Sequence, residues 1–330
     1  MPVGLALAAV VAVSTTGTTA QRSQAVSPTR GCLTNTTAGD HTYQCEGLRV
    51  DARVPAVCLA SHCGLVLELH GDTGTGLLED AHTRLRELGE QAGYIVIAPT
   101  GPPLGLGDQA STSSPANGAA AALALLLGSL GNQGSTWSPA NDEPLVSIVR
   151  EFARVFAVDP RRVHVTGFSR GGYTTWRLLC THADLFASAA PAAAGAAGMG
   201  PCFVGGHVPS RKIPILFLMG RTDAQVDFQA TSAIRDAAIA TYHATGPQVL
   251  TSDANYTHNR WASADGGVIE VFEHSYQNAE DGSWAFAKGH CIPGSTVDPQ
   301  APQYGLACKG PTAFNWGEEV LRFFKANPMR

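Results

Sequence analysis

Along this chain, apolar runs of strand length alternate with stretches of helical period. Gly64-Leu-Val-Leu-Glu-Leu-His70 is a nearly continuous apolar run, stopped by the glycine-rich Gly71-Asp-Thr-Gly-Thr-Gly76. Leu77 to Ala92 reads as one helix with Leu78, Ala81, Leu85 and Leu88 on a single face, and Tyr94-Ile-Val-Ile-Ala98 is the next buried-strand run. Strand, helix and strand at this spacing make a βαβ unit and imply a parallel sheet covered on both faces. The rhythm resumes with an amphipathic helix over Glu143 to Ala157, a strand over Arg162 to Thr166 and a helix over Arg170 to Cys180. Strands follow at Phe186 to Ala194 and Ile213 to Met219, a helix at Thr231 to Ala244, a strand at Val268 to Glu273 and a closing helix at Ala313 to Ala326. Cys32 to Val57 has strand-like alternation and reads as a small prelude to this unit. No internal repeat and no second compositional block breaks the pattern. One α/β domain over 29–330 is therefore expected.

Two segments depart from the rhythm. Residues 102–139 are rich in Gly, Ala, Ser and Pro around the apolar stretch Gly118 to Leu130. Such an insertion is read as a lid over an apolar substrate, or as a helix packed on the core. Residues 1–28 carry an apolar middle (Val3 to Val13) and a small-residue exit without a basic start, and read as a signal peptide or a disordered N-terminal segment. The run is too short to span a bilayer, so no stable membrane insertion is expected.

The eight cysteines strengthen the case for export to an oxidising, extracellular location. None of their spacings is that of a metal site. Of the 105 possible connectivities, pairing of near neighbours gives Cys32–Cys45, Cys58–Cys63, Cys180–Cys202 and Cys291–Cys308. A net charge of −5 offers no reason to expect a nucleic acid partner. The chain also lacks a phosphate-binding G-x-x-x-x-G-K-[ST] loop and an H-E-x-x-H helix. A monomer acting on a small or polymeric substrate is expected.

The sharpest local signal is Gly167-Phe-Ser-Arg-Gly171 between the strand at 162–166 and the helix at 170–180. G-x-S-x-G in that setting is the nucleophile elbow of the α/β-hydrolase fold, a tight turn whose small flanking residues let strand and helix pass closely. A serine hydroxyl needs a base, and the base an orienting acid, in the chain order Ser, Asp, His. Ser169 is the candidate nucleophile. Asp223 follows the strand at 213–219 directly, with Asp227 as the alternative acid. His290, in the Gly289-His-Cys-Ile-Pro-Gly294 loop upstream of the closing helix, is the candidate base, and His274 the runner-up. The oxyanion donors are the backbone N–H of Arg170 and one from His70-Gly71-Asp72. Asp72 N–H is preferred over Gly71 or Thr73, provided that its carboxylate points away or pairs with a cation. Trp284, Trp176 and His70 are candidates for touching substrate, although Trp176, shortly beyond Ser169 on the helix, reads first as a core residue.

Together, Leu69-His-Gly71, Asp159-Pro-Arg-Arg-Val163, Gly167-Phe-Ser-Arg-Gly-Gly172, Gly220-x-x-Asp223-x-x-Val226 and Gly289-His-x-x-Pro-Gly294 resemble the extracellular polyhydroxybutyrate depolymerases and their feruloyl and acetylxylan esterase relatives of the carbohydrate esterase family 1 type. The resemblance runs from about Gly64 to Pro328. It implies an α/β-hydrolase fold, a Ser169–Asp223–His290 triad, and cleavage of carboxylic esters without cofactor or metal. Those relatives often carry an aromatic residue or Cys where Asp72 stands, and Pro where Asp227 stands. The resemblance puts polyester or short-chain esters first as substrates, then feruloyl or acetyl esters of plant polysaccharides. A remoter reading is a serine peptidase, and a catalytically silent binding protein of the same fold is the rival of a different class.

Overall fold

In the computed structural model, the described residues besides Met1 are 31–103, 135–195, 202–278, 288–297 and 306–330. The N-terminal segment 1–28, most of the 102–139 insertion and Trp284 lie outside them. Cys32–Arg330 form one compact unit.

Among the described residues, ten strands form one sheet: β1 (Gly39–Cys45), β2 (Leu48–Val54), β3 (Gly64–Leu69), β4 (Tyr94–Thr100), β5 (Val163–Phe168), β6 (Ser188–Ala192), β7 (Ile215–Gly220), β8 (Thr245–Ser252), β9 (Tyr256–Ala262) and β10 (Val268–His274). Their order is β1-β2-β4-β3-β5-β6-β7-β10-β9-β8. The six strands from β4 to β10 run parallel. An antiparallel hairpin closes each end. Every residue of β3, β5 and β7 is buried. Strands covered on both faces have no solvent-facing positions to alternate with, which is why β7 reads as an unbroken apolar run and β3 as one interrupted only by the buried Glu68, while β5 carries the buried His164 and Thr166.

Side chains sort onto the two faces by the strand period. Leu65, Leu67 and Leu69 pack with Phe152 of α3 (Asp142–Val155), Trp176 of α4 (Arg170–Thr181) and Ile234 of α5 (Phe228–Tyr242). Val66 packs on the opposite face with Leu85 of α2 (Leu85–Ala92) and with Val320, Phe323 and Phe324 of α6 (Trp316–Ala326). The cysteines join as Cys32–Cys45, Cys58–Cys63, Cys180–Cys202 and Cys291–Cys308, the neighbour pairing expected from the sequence.

Two elements differ from expectation. Leu77 to Ala92 is not one helix. Helix α1 (Gly76–Thr83) stops at Arg84, whose φ of 58° is left-handed, and α2 starts immediately after it. Tertiary contacts enforce the break. Thr83 donates its hydroxyl hydrogen to the buried Glu68 carboxylate, and the α-carbon of Gly317 on α6 lies so close that a Cβ there would stand 1.8 Å from the Thr83 carbonyl oxygen. Asp80 then takes the Arg86 N–H (2.7 Å) and Nε (2.9 Å), starting the second helix. The β8–β9 hairpin was also not expected. All eight residues of β8 are exposed, so the strand carries none of the apolar alternation by which a half-buried strand is recognised.

Candidate active site

The turn between β5 and α4 holds Ser169 at φ 53°, ψ −117°. For a residue with a Cβ this is a strained conformation, of the kind kept only where the surroundings over-determine it. Here they do. The Ser169 N–H donates to Ala192 O (2.9 Å) and its carbonyl accepts from Tyr173 N–H (3.0 Å). A Cβ on Gly171 would stand 2.0 Å from Leu69 O, one on Gly172 2.4 Å from Ala192 O, and one on Gly167 2.5 Å from the Gly171 carbonyl carbon. Strand and helix thus touch backbone to backbone, and the serine is lifted off the C-terminal end of the parallel strands.

Beside it runs the loop after β3. Gly71 lies close enough that a Cβ on it would be 3.3 Å from Ser169 Cβ. Gly101 N–H donates to His70 Nε2 (3.0 Å), so the ring hydrogen sits on Nδ1 and is donated to Gly71 O at 2.6 Å. Burial pulls His70 down to about 4, against the Gly71 carbonyl and the Asp72 charge, and keeps it neutral. Gly74 N–H also donates to Gly71 O (3.1 Å), and Thr73 N–H to Ser135 O (2.8 Å). That last bond removes Thr73 from the candidate oxyanion donors. The Asp72 carboxylate pairs with Arg170, Nε lying 3.0 Å from both oxygens. Beneath the loop is Glu79, whose carboxyl is pushed up to about 8 by burial, against the Gly71 amide.

Asp223 and His290 come from loops beyond β7 and β10. Asp223 Oδ1 accepts the N–H groups of Gln225 (2.8 Å) and Val226 (2.9 Å), which turns Oδ2 toward His290 Nδ1 at 2.7 Å. Both side chains are almost fully buried. A hydrogen on Nδ1 leaves Nε2 as the basic nitrogen. The imidazole centroid lies 4.7 Å from the ring of Phe168, the residue before Ser169. Gly289, at φ 76°, presses so closely on the acid loop that a Cβ would be 2.6 Å from Thr222 O. Lys288 O accepts the Ala224 N–H (2.8 Å) and the Cys291–Cys308 bond anchors the other side.

The alternatives fall elsewhere. Asp227 caps α5, its carboxylate accepting Ala230 N–H at 2.9 Å. His274 ends β10 and is buried. Burial lowers it to about 4 although the Asp223 charge pulls the other way, and its Nδ1 has no hydrogen-bond partner among the described residues. Two of the substrate-contact candidates lie inside the protein. Trp176 is a core residue, 2% exposed, donating to Ala194 O (3.1 Å) and packed edge-on against Phe217. His70 has both ring nitrogens engaged inside the protein and acts on the loop, not on the solvent side.

Sequence reasoning missed Asn278 and the Ser135–Trp137 segment. Asn278 takes the Gly289 N–H on Oδ1 (3.1 Å) and gives Nδ2–H to His290 O (3.3 Å). Ser135 donates to Gly74 O, Thr136 to Asp72 and Trp137 Nε1 to His70 O. No periodicity or motif marks these positions, since each acts through a contact distant in sequence. Among the described residues, one group of three side chains has ligand atoms within 4.8 Å of one another, His274, Cys291 and Cys308. Both of its sulfurs are joined in the disulfide, so neither offers a metal a thiolate.

No family model matches the chain. It is 24% identical over 218 residues to the bifunctional acetylxylan esterase/xylanase XynS20E of Neocallimastix patriciarum, covering 64% of this chain and 27% of that protein. The chain thus spans about a quarter of the length of that relative. Among solved structures it is similar to the acetyl xylan esterase from Aspergillus awamori (TM-score 0.51, 19% identity, 72% of this chain and 93% of that one). It is also similar to a candidate dipeptidyl aminopeptidase IV from Bacteroides ovatus (TM-score 0.51, 13% identity, 87% of this chain and 35% of that one). With six parallel strands between two hairpins, an elbow after β5, and acid and imidazole on the loops after β7 and β10, the chain has the α/β-hydrolase fold.

Proposed function

We propose that this protein is a secreted serine hydrolase that cleaves carboxylic esters through Ser169, His290 and Asp223, with small acyl groups on a polysaccharide as its substrate class. The observation that carries the reading is the 2.7 Å contact between His290 Nδ1 and Asp223 Oδ2, in a loop packed on the residue before a serine at φ 53°. In this mechanism His290 Nε2 takes the Ser169 proton as the hydroxyl oxygen attacks the ester carbonyl. Asp223 holds the imidazole in the correct tautomer and stabilises its charged form. The Arg170 and Asp72 amides receive the oxyanion. Collapse expels the alcohol, which takes its proton from His290, and water then releases the acid from the acyl-enzyme by the same route.

The acetylxylan esterase names of the curated relative and of the Aspergillus awamori structure support an acetylated polysaccharide as substrate. The ordered motifs from Leu69 to Gly294 favour a polyester as the second reading. Four disulfides support a location outside the reducing cytosol. The test is a panel of acetylated xylan, methyl ferulate, polyhydroxybutyrate film and p-nitrophenyl acetate, with wild-type protein and Ser169→Ala. Acetate release from xylan is expected, and the Ser169→Ala protein is expected to lose on the order of 10⁴-fold in kcat. Near-full activity on p-nitrophenyl acetate without the serine would overturn the mechanism. Film erosion without acetate release would transfer the substrate to the polyester reading.

A further inference from the structure

The two residues assigned to hold the oxyanion also hold each other. Arg170 Nε sits 3.0 Å from each carboxylate oxygen of Asp72, and Thr136 Oγ1 donates to Asp72 Oδ1. The Arg170 side chain is 10% exposed and that of Asp72 41%. A buried cation fixed to the first turn of α4 therefore holds the more exposed Asp72 side chain.

Resting on the hydrolase reading above, we propose that the Asp72–Arg170 ion pair is a positioning device that sets the distance and angle between the two oxyanion donors and neutralises the carboxylate beside them. The argument starts from peptide planarity. Gly71 O and Asp72 N–H belong to one peptide unit, and a trans unit points them in opposite directions. His70 Nδ1 and Gly74 N–H hold Gly71 O from one side, so the Asp72 N–H is aimed to the other. The base of that loop is set against the serine turn by Gly171, packed on the Leu69 and His70 carbonyls, and by Gly71 beside Ser169; further out, Asp72 meets the turn, 98 residues further along the chain, through its side chain. The Asp72 carboxylate supplies the restraint, a charge-assisted contact in which Arg170 Nε–H lies equidistant from both oxygens while Thr136 Oγ1 donates to Oδ1. Its charge is also dealt with. An unpaired carboxylate next to a developing oxyanion would oppose the transition state directly, whereas the guanidinium pair presents nearly no net charge.

A misplaced donor weakens the charged transition state more than the neutral bound ester, so the device acts on kcat and leaves KM almost unchanged. The two side chains are also unequal partners. Removing Asp72 loosens the loop, while removing Arg170 loosens it and exposes the negative charge.

The experiment measures kcat and KM on p-nitrophenyl acetate for Asp72→Ala, Asp72→Asn, Arg170→Met, the Asp72→Ala/Arg170→Met double variant and Ser169→Ala, with melting curves for each. Loss of a whole oxyanion donor costs about 10²–10³-fold, so loosening one is expected to cost about tenfold in kcat for Asp72→Ala and about a hundredfold for Arg170→Met. The double variant is expected to recover to the Asp72→Ala level, and Asp72→Asn, which keeps an oxygen for Thr136 and Arg170, to lose only about threefold. KM stays within about twofold throughout. Additive losses in the double variant, or losses carried by KM, overturn the proposal. Should Arg170→Met fail to fold, Arg170→Lys keeps the charge without the side-on contact, and an unchanged kcat there overturns it equally. Ser169→Ala separates the two levels of argument. If it stays active, the hydrolase reading falls. If it is silent while the pair variants keep kcat within twofold, only the positioning role falls.

Discussion

At the turn after β5, three glycine α-carbons lie against neighbouring backbone, the closest so tight that a Cβ on Gly171 would stand 2.0 Å from Leu69 O. The loops carrying Asp223 and His290 are held in another way. There the contacts are hydrogen bonds and one covalent bond between segments far apart in sequence: Asn278 to Gly289 and His290, Lys288 to Ala224, and Cys291 to Cys308. The Ser169 side is defined by steric exclusion between backbones, Gly167 against Gly171 within the turn, Gly171 against Leu69 and Gly172 against Ala192. The Asp223 and His290 side is defined mainly by polar contacts that exist only once β7 and β10 lie side by side. The first kind of construction tolerates almost no change in side-chain size. The second tolerates size changes but depends on each partner being present.

The largest expected effect that sharpens this contrast is on the polar side. Asp223→Asn keeps the shape of the loop but loses the charge that stabilises the imidazolium and selects its tautomer. It is expected to lower kcat by about 10³–10⁴-fold with little change in melting temperature. A protein retaining more than a tenth of wild-type kcat would show that the carboxylate does not serve the imidazole.

Next comes a paired glycine substitution. Gly171→Ala forces a methyl group into backbone and is expected to cost more than about 3 kcal/mol of stability, seen as a lowered urea midpoint. Gly289→Ala meets a left-handed φ of 76° and the Thr222 carbonyl at 2.6 Å. It is expected to cost only about 1–2 kcal/mol, because a loop held by hydrogen bonds can shift, while kcat falls as His290 moves with it. Equal stability losses from the two would erase the distinction between the halves.

The smallest effect is in pH dependence, where both halves contribute alike. His70 under the oxyanion loop, His274 beside the acid loop and His82 are held by burial at about 4, and His164 at about 3. Their ordinary value is near 6.5. As pH falls below 6.5 the unfolded chain takes up protons that the folded one refuses, so stability declines. Glu79, kept protonated up to about 8 by burial, acts in the opposite sense, as does Glu68, raised by burial and by Asp80. From about 4.5 upward the unfolded chain releases protons that the folded one keeps, so stability declines as pH rises toward 8. The balance predicts a maximum near pH 6.5, with losses of about 1–2 kcal/mol per pH unit on either side. Urea midpoints measured from pH 5 to 8 check this, and a steady rise through pH 8 would contradict it.

Much of this was legible in the sequence because it rests on local physics. A strand buried on both faces is largely apolar, as β3 and β7 are, and a turn that brings helix against strand has to have glycine at 167 and 171. Those constraints fall on a handful of consecutive residues and therefore leave a readable pattern. The break at Arg84, the exposed β8, the hydrogen bond that fixes the Trp176 indole and the bracing by Asn278, Thr136 and Trp137 left no such mark. Each is decided by an atom from another segment: Gly317 against Thr83, Ala194 O on the Trp176 indole, the His290 loop on Asn278. By itself the sequence determined the order of strands and helices, the small residues around Ser169 and the side chains available for chemistry, since propensity, burial period and steric size are properties of short stretches. Only the tertiary structure decided which carboxylate meets which imidazole and how Asp72 is neutralised, because hydrogen bonds and ion pairs act over about 3 Å and their partners stand 67 and 98 positions apart in the chain.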